Sequence, residues 1–377
     1  MKINQSILDY IEAHRQEAYE LLLELAQIPA PSNQEEKRAQ FCKNWLEKQG
    51  AEGVYIDDAL NVVYPIGCDA GKPIAVFAAH SDVVFPDTDT LPLRVEDGWI
   101  YCPGVGDDTG NVVALLMAAK YIAENKLQSP DWGILLVVNS GEEGLGNLKG
   151  CRKLFADYKN QVKEFVTFDL GANRLYDRAV GSRRFRIGVK TQGGHSLNDF
   201  GRPNAIACLA EIIHSLYQVQ VPQKGRTTYN VGTISGGTSV NTIAQDAQML
   251  YEFRSDERES LNIMQEKLDR ILAEYREKGM DISCEVVGDR PCSGDVDAAA
   301  LQQLSDRAAQ AAKMWFSEEP VRLAASTDCN IPLSLGIPAI CIGCLYGEGE
   351  HTREERVQIS SLLPGLKLCY QLVLHHF

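Results

Sequence analysis

No apolar run in the sequence is long enough to cross a bilayer. The longest, at 75–79 and 112–119, fall far short of the roughly 20 residues that a spanning helix needs. The opening MKINQSILDYIEAHRQEAYE lacks the apolar core of an export signal, so a cytoplasmic chain with no membrane partner is expected. Positive charge is in short supply. Lys and Arg number 37 against 51 Asp and Glu, for a formal net charge of −14, which argues against a nucleic-acid partner because phosphate binding needs clustered cations. The eleven cysteines include no C-x-x-C pair, and their number is odd. That pattern fits reduced thiols better than a disulfide framework. What remains is ordinary globular composition, 45% hydrophobic and 23% charged, in 377 residues, enough for about two domains.

The hydrophobic pattern changes along the chain. Residues 7–26 space Leu8, Ile11, Tyr19, Leu22, Leu23 and Leu25 as one amphipathic helix, ended by the Ile28-Pro29-Ala30-Pro31 segment. Ser32 is a plausible N-cap for a second helix over 34–49. Short β-branched runs at 54–56, 62–66, 74–79, 134–139 and 165–169 then read as strands, with a helix over 109–125 between two of them. Such alternation predicts an α/β domain with a mostly parallel central sheet and flanking helices. From Gly181 the strands alternate apolar and polar residues, as in Phe185-Arg-Ile187-Gly-Val189-Lys, with helical stretches at 205–218 and 261–278. Alternation of this kind predicts antiparallel strands with one wet face. After Gly288 the first style returns, with a helix near 298–314 and a strand at 339–343. The economical division is one α/β domain, 1–180 with 289–377, interrupted by an α+β insertion at 181–288.

Three of the predicted strands run into polar residues suited to metals: His80-Ser81-Asp82, Glu142-Glu143 and Asp169. In an open α/β sheet, ligands gather outside the carboxyl ends of the strands. Gly104-Val-Gly-Asp107-Asp108-Thr-Gly110 precedes a helix, and Gly347-Glu-Gly-Glu-His351 follows the last buried strand. The glycine-rich segment lacks the Lys-Ser/Thr of a phosphate loop, and its aspartates would repel an anion. Taken singly, a histidine is usually a surface or core residue, paired glutamates a solvated pair, and Asp-Asp a helix cap. Their convergence on one sheet edge favours a metal site.

In this order, His80-Ser-Asp82, Gly106-Asp107-Asp108-Thr-Gly110, Ser140-Gly-Glu142-Glu143-Gly144, Asp169, Gly194-His195-Ser196 and His351 resemble the co-catalytic zinc exopeptidases and deacylases of the M20 type. That family includes peptidase T, carboxypeptidase G, acetylornithine deacetylase and succinyl-diaminopimelate desuccinylase. The resemblance implies a zinc-exopeptidase-like fold and makes the insertion a lid or dimerisation domain. It also implies two divalent metal ions, zinc first, with manganese or cobalt able to replace it. His80 and Asp169 would hold one ion, Glu143 and His351 the other, and Asp107 would bridge them. Glu142 would be the general base acting on a water shared by the metals, and Asp82 would orient the His80 ring. His195 would polarise the substrate carbonyl, in the same chain or a neighbouring one, while Asn241 and Arg254 would grip the substrate carboxylate. A cis Asp107–Asp108 peptide bond is implied as well. The expected activity is amide hydrolysis in di- or tripeptides, aminopeptidase-like because the family's aminopeptidases tend to carry Asp at position 169. Deacylation of N-acyl amino acids is the alternative, followed by a non-catalytic binding relative. A homodimer with a composite site is expected.

Overall fold

The computed structural model describes residues 3–69 and 71–377. The chain divides into two compact units: residues up to Ala179 together with Gly294–Phe377, and Val180–Ser293.

The first unit is built on an eight-stranded sheet. In spatial order its strands are Tyr55–Ile56, Val62–Ile66, Gly133–Asn139, Ile74–His80, Val162–Thr167, Ala339–Ile342, Arg174–Ala179 and Val321–Ala325. The four in the middle are mutually parallel, and antiparallel pairings flank them on either side. Every residue of Ile74–His80 and of Gly133–Asn139 is buried, as parallel strands covered on both faces require. Ala75, Phe77 and Ala79 face a core shared with helices Arg15–Ala26, Gly110–Glu124, Ala298–Phe316 and Leu362–Val373. Val76 and Ala78 face the opposite core, under Lys149–Tyr158 and Asn330–Ser334.

Several expectations need correction. The helix read over 7–26 is two helices, Gln5–Ala13 and Arg15–Ala26. At the break, the main-chain N–H of His14 donates to Tyr10 O, and the ring Nδ1 lies 2.8 Å from the same carbonyl. The next helix begins at Glu36, and Ser32 does not cap it. The Ser32 hydroxyl donates instead to Asp82 Oδ2 at 2.6 Å. A small antiparallel sheet also went unread, formed by Arg94–Glu96, Trp99–Tyr101, Arg356–Gln358 and Gly347–Glu348. Its strands are two or three residues long, too short for a periodic signal.

The second unit is an antiparallel sheet ordered Thr227–Gly236, Asp246–Ser255, Gly181–Lys190 and Asp281–Arg290, with helices Ala205–Leu216 and Arg258–Glu277 packed on one face. Phe185, Ile187, Val189, Met249, Tyr251 and Phe253 point into that interface. The unit runs past the expected limit at 288 because Gly288 does not end its strand. The register slips between Val286 and Gly288, and the ladder continues to Arg290. An extra residue of this kind is a β-bulge.

Candidate metal centre

Strand Ile74–His80 ends on His80, Gly133–Asn139 leads into Ser140–Glu143, and Val162–Thr167 stops two residues before Asp169. The parallel pairing of these strands brings all three endings to one rim. Asp107 reaches the rim on the wide helical turn Val105–Thr109, in which the Asp107–Asp108 bond is cis. Gly104 makes the entry to this turn with φ of 75°, and a Cβ there would stand 2.2 Å from Val83 Cγ1, so only glycine fits. His351 arrives between the short strands Gly347–Glu348 and Arg356–Gln358.

Asp107 lies between two imidazoles, one oxygen to each. Its Oδ1 is 2.9 Å from His80 Nε2, and its Oδ2 is 3.1 Å from His351 Nε2. His351 Nε2 is also 2.9 Å from Glu143 Oε1. Asp169 Oδ1 is 3.7 Å from His80 Nε2, too far for a hydrogen bond, and is buried without any hydrogen-bond partner. Ligand atoms of His80, Asp107 and Glu143 lie within 4.8 Å of one another, as do those of His80, Asp108 and Asp169. Asp108 has both oxygens engaged, Oδ2 by the His80 N–H at 2.8 Å and Oδ1 by Asn111 Nδ2 at 2.6 Å, so it orients the strand end.

Asp82 contacts the His80 ring through its main chain rather than through the expected carboxylate. The hydrogen-bond partner of His80 Nδ1 is the main-chain carbonyl of Asp82 at 3.1 Å, while the carboxylate lies 3.5 Å away. That carboxylate accepts the N–H groups of Glu142 and Glu143, each at 2.9 Å. One residue therefore fixes the His80 ring and the turn that carries both glutamates.

Burial would push the His80 imidazole down, but Asp108, Asp107, Asp169 and Asp82 outweigh it and hold its pKa well above the usual value. Hydrogen bonds to Asp107 and Glu143 push His351 up to about 11. Burial raises Asp108, Glu143 and Asp169, whereas the two histidines overcome burial to lower Asp107. So much negative charge out of water calls for cations. With Asp107 facing two Nε2 atoms and Asp169 Oδ1 unpartnered, the residues fit a pair of divalent ions, and the donor set is imidazole and carboxylate without thiolate. All eleven cysteines are free, and none is in a candidate metal group among the described residues.

Sequence reasoning missed residues that hold this geometry. Glu355 is buried, and its carboxylate accepts the N–H groups of Gly104, Gly106 and Asp107, each at 2.8 Å. Arg38, also buried, donates to the carbonyls of Ile28 and Ser81. The partners of Glu355 lie about 250 positions away, so no local pattern marks it; its only signal is an acid four residues after His351. Glu355→Gln turns an NH₂ donor toward a loop that presents only donors. It is expected to weaken metal binding about 10- to 100-fold, as read by chelator competition; unchanged affinity would refute the role.

In the second unit, His195 and Asn241 lie side by side. His195 pairs in register with Thr242, and the Ser196 N–H donates to Asn241 O at 3.0 Å. Gly194 approaches Asp199 so closely that a Cβ would sit 2.7 Å from its Oδ2. His195 is exposed, and its Nδ1 accepts the Leu197 N–H at 3.2 Å, which puts the proton of the neutral ring on Nε2. Arg254 stands apart from this pair. It is in register with Ser182, near the opposite end of its strand, and its guanidinium is bidentate with Glu252 at 3.0 and 3.1 Å.

Residues 76–375 match peptidase family M20/M25/M40. The chain belongs to this family. This M20 protein is 24% identical over 386 residues to the uncharacterized protein YqjE of Bacillus subtilis, covering 94% of this chain and 96% of that one. It is 25% identical over 329 residues to a succinyl-diaminopimelate desuccinylase of Bordetella parapertussis, covering 81% and 84%. Among solved structures, aminopeptidase PepT of Bacillus cereus superposes with a TM-score of 0.72 at 20% identity, covering 95% and 98% of the two chains. An M20 metallo-carboxypeptidase of Sulfolobus solfataricus gives 0.75 at 16%, covering 96% and 99%. These structural likenesses show the fold. The M20 chain is a metallohydrolase, and no helix among its described residues is long and apolar enough to cross a membrane.

Proposed function

We propose that the protein hydrolyses an amide bond in small peptides, as a di- or tripeptidase of the aminopeptidase type. The two divalent ions, zinc first, are assigned to His80, Asp107, Glu143, Asp169 and His351. The observation that carries this reading is Asp107, one oxygen on His80 and the other on His351. Bound divalent ions would supply Lewis acidity toward the scissile carbonyl and acidify the attacking water. Glu142, buried beside Glu143, takes that water's proton on its carboxylate and delivers it to the leaving amine. Asp82 contributes by holding Glu142, Glu143 and the His80 ring in register. Asp169, where the family's deacylases more often carry Glu, favours the peptidase. The desuccinylase among the sequence relatives supports N-acyl-amino-acid deacylation as the second reading. The zinc-loaded protein assayed on dipeptides, tripeptides and N-acetyl and N-succinyl amino acids decides between them. Cleavage of peptides with a free amino terminus is expected; release of acyl groups alone would favour the deacylase.

His195 is assigned to the substrate carbonyl through its Nε2–H and the adjacent Asn241 to the substrate carboxylate; Arg254, at the other end of its strand, is assigned to that carboxylate from the other chain of a dimer, once it releases Glu252. His195 lies beyond the far end of Gly181–Lys190. Ten residues at about 3.3 Å each put it roughly 30 Å from the point where the chain enters this unit. The proposed assembly is a homodimer with two-fold symmetry in which the partner supplies His195. Mixing inactive Glu142→Ala and His195→Ala chains should then restore activity, because each mixed dimer has one intact site. No recovery from dimers shown to have exchanged subunits would mean that each chain uses its own His195.

A further inference from the structure

Asn139 is the last residue of strand Gly133–Asn139 and pairs in register with His80. Its carbonyl accepts two bonds from Ser81, from the N–H at 2.7 Å and from Oγ at 2.9 Å. One residue thus joins the chain leaving His80 to the chain entering Glu142 and Glu143. Asn139 is 2% exposed, and its Nδ2 donates to Asp328 Oδ2 at 2.6 Å. Asp328, 1% exposed, lies in the turn before helix Asn330–Ser334. That turn is itself fastened: the Ile331 N–H and the Cys151 thiol both donate to Asp328 O. Asn139 Oδ1 and Asp328 Oδ1 are buried with no hydrogen-bond partner. Buried polar atoms are nearly always paired, so a contact kept in spite of two unpaired oxygens needs an explanation beyond packing.

We infer that Asp328 is a positioning residue for hydrolysis: through its side-chain bond to Asn139 it fixes the end of strand Gly133–Asn139, and so sets the Glu142–Glu143 turn against His80. This rests on the reading of Glu142 as base and Glu143 as ligand. Asp82 holds the same turn by its amides. An amide at position 328 keeps an acceptor for Asn139 Nδ2 and removes the charge. Asp328→Asn therefore keeps the bond, whereas Asp328→Ala and Asn139→Ala cut it.

The test compares zinc-loaded Asp328→Asn, Asp328→Ala and Asn139→Ala with the parent for kcat, KM, thermal midpoint and zinc retention against a chelator. Asp328→Asn is expected to stay within about threefold of the parent on kcat and zinc retention. The two alanine variants are expected to lose about 10- to 100-fold in kcat, the scale for supports behind metal ligands, at nearly constant KM and with one zinc ion held more weakly. Parental kcat in Asp328→Ala overturns the inference. So does an Asp328→Asn as impaired as the alanine variant, since the carboxylate charge and not the bond would then matter. If Asp328→Ala does not fold, Asn139→Ala carries the same expectation, and parental kcat there overturns it. Glu142→Ala is assayed alongside: an active Glu142→Ala rejects the base, whereas an inactive one beside an unaffected Asn139→Ala rejects only the positioning role.

Discussion

Glu142→Ala is expected to bind two zinc ions and to lose about 10²- to 10⁴-fold in kcat, the range for removal of a general acid–base group. The fold around it should survive, because the turn is held through main-chain groups. Asp82 takes the amides of residues 142 and 143, Glu35 takes the Gly141 N–H, and Asn61 takes the Ser140 N–H. None of these bonds uses the Glu142 side chain. The loss should therefore appear in kcat with little change in KM or thermal midpoint. Parental turnover in a fully loaded variant would remove Glu142 from the mechanism.

The larger effect is expected at Asp107. Asp107→Asn leaves one oxygen where two are used and turns an amide NH₂ toward one of the imidazoles. Zinc content should fall from two equivalents to one or fewer. Loss of a metal's charge stabilisation, worth several kcal/mol, corresponds to a fall of about 10³-fold or more in kcat/KM. Metal analysis of protein purified without chelator, with titration of added zinc, reads the stoichiometry. Two tightly held ions in this variant would show that Asp107 does not bridge. The neighbouring carboxylate serves as a control: Asp108 bonds to the His80 N–H and to Asn111, so Asp108→Asn should affect stability more than stoichiometry.

How much could be read in advance depended on whether a feature is local. The seven-residue buried strands Ile74–His80 and Gly133–Asn139 stand out because consecutive β-branched and apolar residues are required when both faces are covered. Their polar endings stand out for the same reason, as abrupt breaks in apolar runs. The break at His14 and the engagement of Ser32 with Asp82 were hidden, since each depends on a single side chain choosing a hydrogen-bond partner over the periodic pattern. Arg174–Ala179 and Val321–Ala325 were also missed. Both mix charged with apolar residues at one margin of the sheet, so neither shows a continuous apolar run. At the site, the candidate ligands were visible while the residues that hold them were not. Asp82 appeared as a partner of a ring nitrogen, and only the fold shows its carboxylate spanning two amides. Glu355 and Asp328 act on residues about 250 and 190 positions away, distances at which sequence spacing says nothing about proximity.

The hairpin formed by Gly347–Glu348 and Arg356–Gln358 also bears on the order in which the protein is made. His80, Asp107 and Asp169 are all translated by residue 169, but His351 and Glu355, which sit on this hairpin, emerge about 180 residues later. At typical rates of synthesis that interval is roughly 10–40 s. During it a nascent chain lacks the imidazole that faces Asp107 Oδ2 and Glu143 Oε1, and the Gly104–Asp107 loop lacks its carboxylate anchor. On the ligand assignment proposed above, the second ion's site would be incomplete until this hairpin adds to the strand Trp99–Tyr101.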